Sequence, residues 1–286
     1  MRIYIVDAFT DKQFRGNQAG VVILGENEDF PEETFMKELA AELKHSETAY
    51  VKSTGEHVFS IRYFTPETEV ELCGHATISA FTVMRDTNDI GLGEYIADTL
   101  AGKLNITVES QLIWMDMAKP RHICDIPAGE AENLYDACGS GFQDALLLKP
   151  AVVNTGLSDI LLPVADLKSL SSAEIDDKKV GMLSQKYQAA GIHMFCLGRT
   201  EGVTACCRNF APLLGIPEEP ATGTSNGALT YYLRQNGVIC DGAVNTFLQG
   251  QFMGRESRIF TKIEGERIRV GGSGRISLEC NLYHPI

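Results

Sequence analysis

Two glycine-bearing turns in this chain carry residue types suited to anion recognition and proton transfer. Cys73-Gly74-His75-Ala76-Thr77 closes a strand-like run and opens a helix, and Gly223-Thr224-Ser225-Asn226-Gly227 does the same later on. Glycine lets the backbone approach a ligand, and a helix start presents N–H groups without helical partners, a setting for a carboxylate. From the turns alone, two capped core helices with no ligand are the plainer reading. His75 at a helix start is placed to donate a hydrogen bond to a substrate oxygen, although that position disfavours its protonation. Taken singly, such a histidine is more often structural.

Acids flank both turns. His45-Ser46-Glu47-Thr48 sets Glu47 between a helix and an apolar strand, and Glu218-Glu219-Pro220 sets two acids just before the second turn. A junction carboxylate is usually solvated or caps a helix, but inside an enclosed cleft desolvation suits it to shuttle a proton. Pro220 biases Glu219 toward extended backbone, which aims one acid at the cleft and the other at water. Cys73 at a helix start is a candidate nucleophile or proton carrier. Two-thiol racemisation needs a second such group, and the second turn offers Thr224 instead. The histidines have no metal-ligand spacing and the eight cysteines form no Cys-x-x-Cys pair, so no metal is indicated.

These residues must be positioned by alternating strands and helices. Arg2–Val6 and Ala19–Leu24 read as strands, Glu32–Leu43 as an amphipathic helix with an acidic first turn, and Thr48–Val51 and Val58–Phe64 as strands. Gly74–Met84 reads as a buried helix, and Leu104–Val108 with Leu112–Met117 as a hairpin. The order then repeats: strands at Val152–Thr155 and Ile160–Val164, a helix over Asp176–Ala190, strands at His193–Leu197 and Val203–Phe210, and a helix over Ser225–Gln235. Ser257–Ile263 and Arg267–Val270 read as a second hairpin, with Ile276–Leu282 a final strand. Gly271-Gly272-Ser273-Gly274 lacks the ending of a phosphate-binding loop and reads as a hairpin turn.

The halves also match in letters. Arg62-Tyr63-Phe64-Thr65-Pro66 and Arg208-Asn209-Phe210-Ala211-Pro212 lie about half the chain apart, each followed by acids, a small-residue turn and a buried helix. Duplicated domains follow, each with its own core, and two like domains facing each other would bring both helix starts to one central cleft. The 286 residues suit that division: 1–120, joined by a last strand at about 278–286, and 121–277. A net charge of −13 argues against nucleic acid, and no apolar run is long enough to span a membrane. The first residues lack the pattern of a signal peptide, and scattered thiols fit a reducing compartment, so a cytoplasmic protein is expected.

Six ordered segments carry a resemblance: Val6–Thr10, Phe14–Gly20, Ser46–Ala49, Arg62–Pro66, Cys73–Thr77 and Glu219–Gly223. Together they resemble the PhzF-like family, named for the phenazine-biosynthesis isomerase, from the first strand to about residue 230. The resemblance implies the diaminopimelate epimerase fold, an α/β architecture of two pseudo-symmetric domains, each a curled mixed sheet around a central helix. It also implies an isomerase without a cofactor, commonly a homodimer, acting on a small anionic metabolite. On this resemblance Glu47 is the acid that takes a proton from carbon and returns it, with His75 and Glu219 completing the catalytic set. Cys73, Gly74, Gly223, Thr224 and Asn17 are the implied substrate-binding residues, and Thr224 stands where an epimerase has its second cysteine. Glu219 replaces an aspartate of the phenazine enzyme, which places the substrate itself in question.

Two alternatives stay open. One is an amino-acid epimerase using Cys73, and the other a metabolite-binding protein that kept the cleft without the chemistry.

Overall fold

Runs of Val, Ile, Tyr and Phe become strands and the two small-residue runs become helices in a computed structural model that describes residues 1–141, 147–198 and 200–283. Residues 284–286, the end of the expected last segment, lie outside the described residues. Contacts divide the chain into two units, Met1–Asp116 with Gly271–Ile286, and Met117–Val270.

The first unit contains β1 (Arg2–Ala8), β2 (Asn17–Ile23), α1 (Glu33–Leu43), β3 (Thr48–Gly55), β4 (Val58–Phe64), β5 (Glu69–Val70), α2 (Gly74–Asp86), β6 (Gly93–Thr99), β7 (Gly102–Val108) and β8 (Ile113–Asp116). The second contains β9 (Arg121–Asp125), α3 (Ala128–Ala137), β10 (Ala151–Asn154), β11 (Ser158–Pro163), α4 (Leu167–Ser171), α5 (Asp177–Tyr187), β12 (Gly191–Leu197) and β13 (Ala205–Ala211). It continues through β14 (Ile216–Glu219), α6 (Gly223–Gln235), β15 (Val244–Gln249), β16 (Ser257–Glu264) and β17 (Arg267–Gly272), after which β18 (Gly274–Cys280) returns to the first unit.

Strands of the first unit run in the order β18-β1-β2-β3-β4-β6-β7-β8, with only β2–β3 and β4–β6 parallel. Helix α2 packs on β1, β2 and β3 and also on β18 and β8, the two ends of that order, so the sheet curls around it. Such a helix has no solvent face, which is why its sequence is small and apolar all round. The second unit repeats the plan as β9-β10-β11-β12-β13-β15-β16, with only β11–β12 and β13–β15 parallel, and α6 packs on β10, β11 and β16. The expected duplication is therefore a duplication of fold.

The repeated Arg-x-Phe-x-Pro element has a physical role in each copy. Arg62 of β4 donates from Nε and Nη2 to both oxygens of Glu69 at 2.7 Å, and its guanidinium lies over Phe64 and Phe30. Arg208 of β13 grips Glu218 in the same bidentate way at 2.8 Å, over Phe210 and Phe252. Arg208 also donates to the carbonyls of Leu170 and Ala173.

Besides β5, β6, β9, α4, β14 and β15, which were not anticipated, two features depart from expectation. Only Ser273 separates β17 from β18, too little for a hairpin turn. The glycines are instead contact points: a Cβ on Gly271 would fall 2.5 Å from the Trp114 ring, and one on Gly272 would fall 2.4 Å from the Phe9 ring. Helix α3 was not anticipated, because Leu134 and Tyr135 are the only large apolar residues on its buried face. Among the described residues, no helix is long and apolar enough to cross a membrane.

Candidate active site

In the first unit, β2 and β3 run parallel and Gly20 N donates to Glu47 O at 3.1 Å, fixing the backbone just before β3. Gly20 has to be glycine here, since a Cβ would lie 2.6 Å from Thr48 Oγ1. The Glu47 side chain, 16% exposed, reaches the start of α2, where its Oε2 lies 3.3 Å from Nε2 of the 5%-exposed His75. That oxygen makes no hydrogen bond of ordinary geometry. Ser46 Oγ also lies 3.3 Å from His75 Nε2, and Cys73 Sγ lies 3.4 Å from Nδ1 and 3.8 Å from Nε2. Ser46 Oγ is the neighbour in hydrogen-bond geometry with Nε2, while Glu47 Oε2 lies within ion-pair distance of the same nitrogen. Proton exchange at a carboxylate is the chemistry this arrangement can support.

The first turn of α2 is anchored from behind. Thr77 Oγ1 donates to Cys73 O at 2.7 Å, and the Tyr63 hydroxyl lies 2.7 Å from Thr77 Oγ1. Complete burial of Tyr63 raises its phenol pKa, so the hydroxyl stays protonated. Cys73 is the extended N-cap, and no side chain caps the helix. Donor atoms of Glu47, Cys73 and His75 all lie within 4.8 Å of one another, and they are of the types that bind zinc-like cations. Sequence spacing could not show this set, because Glu47 comes from a separate element.

Asn17 opens β2 in the same unit, buried and opposite Ala8. The loop before it is sharply bent, with positive φ at Phe9, Phe14 and Gly16. Asp7 ties that loop down by accepting from Phe14 N at 2.7 Å and from Ser277 Oγ.

In the second unit the two candidate acids separate, but not into one in water as expected from Pro220, because Glu218 is largely buried against Arg208. Glu218 is held by Arg208, while Glu219 Oε2 accepts from Thr222 Oγ1 at 2.8 Å beside the start of α6. Gln249 binds this turn from the side: Nε2 donates to Glu219 O at 2.7 Å and to Thr222 Oγ1 at 3.1 Å. Its Oε1 accepts from Thr222 N and from Asn226 Nδ2. Gly223 begins the helix, and Thr224 O accepts from Thr155 Oγ1 at 2.9 Å.

The duplicated fold fixes which residues correspond. Cys73 and Thr222 are the N-caps of α2 and α6, so Gly74 matches Gly223 and His75 matches Thr224. Thr222, and not Thr224, occupies the place of a second cysteine. Thr48 pairs with Phe64 and Ile192 with Phe210, so the residue before each, Glu47 and Gly191, also correspond. Only the first unit has an acid there.

A buried polar cluster behind α6 escaped sequence reasoning. Ser225 Oγ donates to Asp159 Oδ2 at 2.9 Å, Asn209 Nδ2 donates to Ser225 Oγ at 3.1 Å, and His193 Nδ1 lies 3.2 Å from Asn209 Nδ2. Burial pushes Asp159 up to about 7 against the opposing Ser225 hydrogen bond, and pushes His193 down to about 3. The matching first-unit positions hold Ala19, Ala76, Tyr63 and Ala49. One signal was available, a lone acid inside the apolar run Asp159-Ile160-Leu161-Leu162.

The chain matches the family described as phenazine biosynthesis-like protein (PhzC–PhzF) over residues 6–279. It is 30% identical to the uncharacterized isomerase YddE of Escherichia coli K12, over 96% of each chain. To an uncharacterized isomerase of Clostridium acetobutylicum it is 29% identical, over 98% of this chain and 97% of that one. Among solved structures, a phenazine biosynthesis protein of the PhzF family from Bacillus anthracis superposes with a TM-score of 0.87 at 24% identity, over 99% of both chains. A probable proline racemase from Agrobacterium radiobacter K84 gives 0.63 at 13% identity, over 99% of this chain and 92% of that one. Those two likenesses show the two-domain epimerase-like fold that the sequence implied. By its family match and its nearly full-length relatives, the chain belongs to the phenazine biosynthesis-like family, whose curated members here are named isomerases.

Proposed function

We propose that this protein is a cofactor-independent isomerase that moves a proton on a small carboxylate-bearing metabolite, with Glu47 as base and then acid. The observation that carries this reading is the half-buried contact between Glu47 Oε2 and His75 Nε2, 3.3 Å apart. Glu47 takes a proton from substrate carbon and returns it at another position, and His75 orients or polarises the substrate. The N–H groups at the starts of α2 and α6, with Gly74, Gly223 and Thr224, offset negative charge developing on the substrate. Glu219 and Asn17 contribute recognition, in the closed, water-excluding cleft expected from the duplication. On this reading the working form is a cytoplasmic homodimer that uses neither nucleic acid nor a membrane as partner.

Proton NMR in D₂O of cyclic dienes, including dihydro-hydroxyanthranilate, and of amino acids tests the proposal. Deuterium should enter carbon with the wild type and not with Glu47→Gln. Full turnover by Glu47→Gln on a confirmed substrate would falsify the mechanism.

A second reading, an amino-acid epimerase, draws support from Cys73 Sγ lying 3.4 Å from His75 Nδ1. It requires exchange that disappears in Cys73→Ser. Thr222 at the matching position weighs against a two-thiol mechanism. Ligand-induced thermal stabilisation without any exchange would point instead to a binding protein.

A further inference from the structure

Cys196 and Cys206 stand directly opposite each other on the antiparallel strands β12 and β13. On the same ladder, Gly198 N donates to Thr204 O at 2.8 Å, which makes Cys196–Cys206 a hydrogen-bonded pair in the alternating antiparallel pattern. Such a pair holds its Cα atoms about 5.5 Å apart, inside the roughly 4.4–6.8 Å that a disulfide spans. Side chains at directly opposed positions share a face, and here it is the face packed against Leu162, Val180 and Phe210.

Both thiols are free, and as directly opposed cross-strand residues their side chains lie side by side on that face. Each thiol shifts the other: the neighbouring Cys206 raises the Cys196 thiol, and the neighbouring Cys196 lowers the Cys206 thiol. Accessibility is divided in the same sense: Cys206 is half-buried and Cys196 is buried. The adjacent Cys207 points to the opposite face, where complete burial raises its thiol.

We infer that Cys196 and Cys206 form a reversible, peroxide-oxidisable dithiol, with Cys206 the attacking sulfur and Cys196 the resolving one. The Cys206 thiolate attacks a hydroperoxide, so an S–O bond forms and the O–O bond breaks. With hydrogen peroxide the departing hydroxide takes a proton and leaves as water. The Cys196 sulfur then attacks the Cys206 sulfenic acid; the S–S bond forms, the S–O bond breaks, and the hydroxyl leaves with the Cys196 proton as a second water. Two thiols are oxidised and one peroxide is reduced. An added dithiol reverses the change by exchange. The product ties β12 to β13 next to Arg208 and Asn209, on the strand whose arginine holds Glu218.

The test uses the reduced full-length protein exposed to hydrogen peroxide, alkylated, digested and mapped by mass spectrometry. We expect a mass loss of two hydrogens and one linked peptide pair, Cys196 with Cys206, that dithiothreitol separates. In Cys196→Ser, with its fold checked by circular dichroism, the Cys206 sulfenic acid should persist and be trapped by dimedone. If Cys206 stays alkylatable while exposed Cys240 or another thiol oxidises, the inference is overturned. A link from Cys206 to a different cysteine overturns it equally. Neither result depends on the identity of the substrate or on the role of Glu47.

Discussion

Gly191 occupies in the second unit the strand position that Glu47 occupies in the first, each one residue ahead of the partner of a matching phenylalanine. A Cβ at Gly191 would fall 2.1 Å from Phe210 O, so the second copy has no room for any side chain there. The duplicated fold thus carries one carboxylate at this position, which fits a single base that removes and returns a proton. We expect Glu47→Gln to lose at least about 100-fold in carbon–deuterium exchange, the lower end for a general acid–base residue. Its circular dichroism and Tm should stay near wild type. Gly191→Ala should do the reverse, destabilising by about 1–3 kcal/mol through overpacking, as denaturant melts would show.

Cys73 and His75 separate the two enzymatic readings. Under the proton-shift reading, thiol alkylation inactivates the wild type little, and Cys73→Ser keeps exchange within a few-fold. His75→Ala lowers it strongly, because the ring 3.3 Å from Glu47 is gone. Rates for both variants, measured on the first substrate that exchanges, decide between the readings.

Arg208→Met should be the more damaging of the two arginine substitutions. It strands Glu218 in a largely buried pair and frees the Leu170 and Ala173 carbonyls, and breaking such a pair costs about 3–5 kcal/mol. The Arg62–Glu69 pair is more exposed and has no such carbonyl partners among its described hydrogen bonds, so Arg62→Met should cost roughly 1 kcal/mol. Urea midpoints of the two variants test the ranking.

Asp159 and His193 give opposing pH dependences. The folded carboxyl, raised to about 7, holds a proton that the unfolded one has released, so its contribution to stability is present at low pH and lost between about pH 4 and 7. The folded imidazole, lowered to about 3, stays neutral, so its contribution is present above about pH 6.5 and lost as pH falls toward 3. Between about pH 4.5 and 6 the two proton counts balance and their slopes cancel. Relative to wild type, Asp159→Asn should therefore gain stability as pH rises through that window, and His193→Gln should lose it. Chemical denaturation at several pH values reads both slopes, and parallel curves for all three proteins would refute the pairing.

Alternation, helix periodicity and punctuation are local properties, and they settled part of the strand–helix order, the duplication and the two buried helices. The six ordered segments carried the family and its fold. Correspondence between distant residues is not local. Thr222 replaced Thr224 as the match for Cys73 only when the two helix caps could be laid side by side. The Glu47–His75 contact joins a strand entry to a helix start, and the Asp159–Ser225–Asn209–His193 cluster draws on four separate elements. Glu218 and Glu219 are chemically identical neighbours. Only the reach of Arg208 across β13 and β14 assigns one to an ion pair and leaves the other at the start of α6. Sequence patterns decide which segments pair and which faces are buried, because these follow from backbone period and hydrophobicity. Which polar atoms meet depends on the register and packing of segments far apart in the chain, and that was decided by the tertiary structure alone.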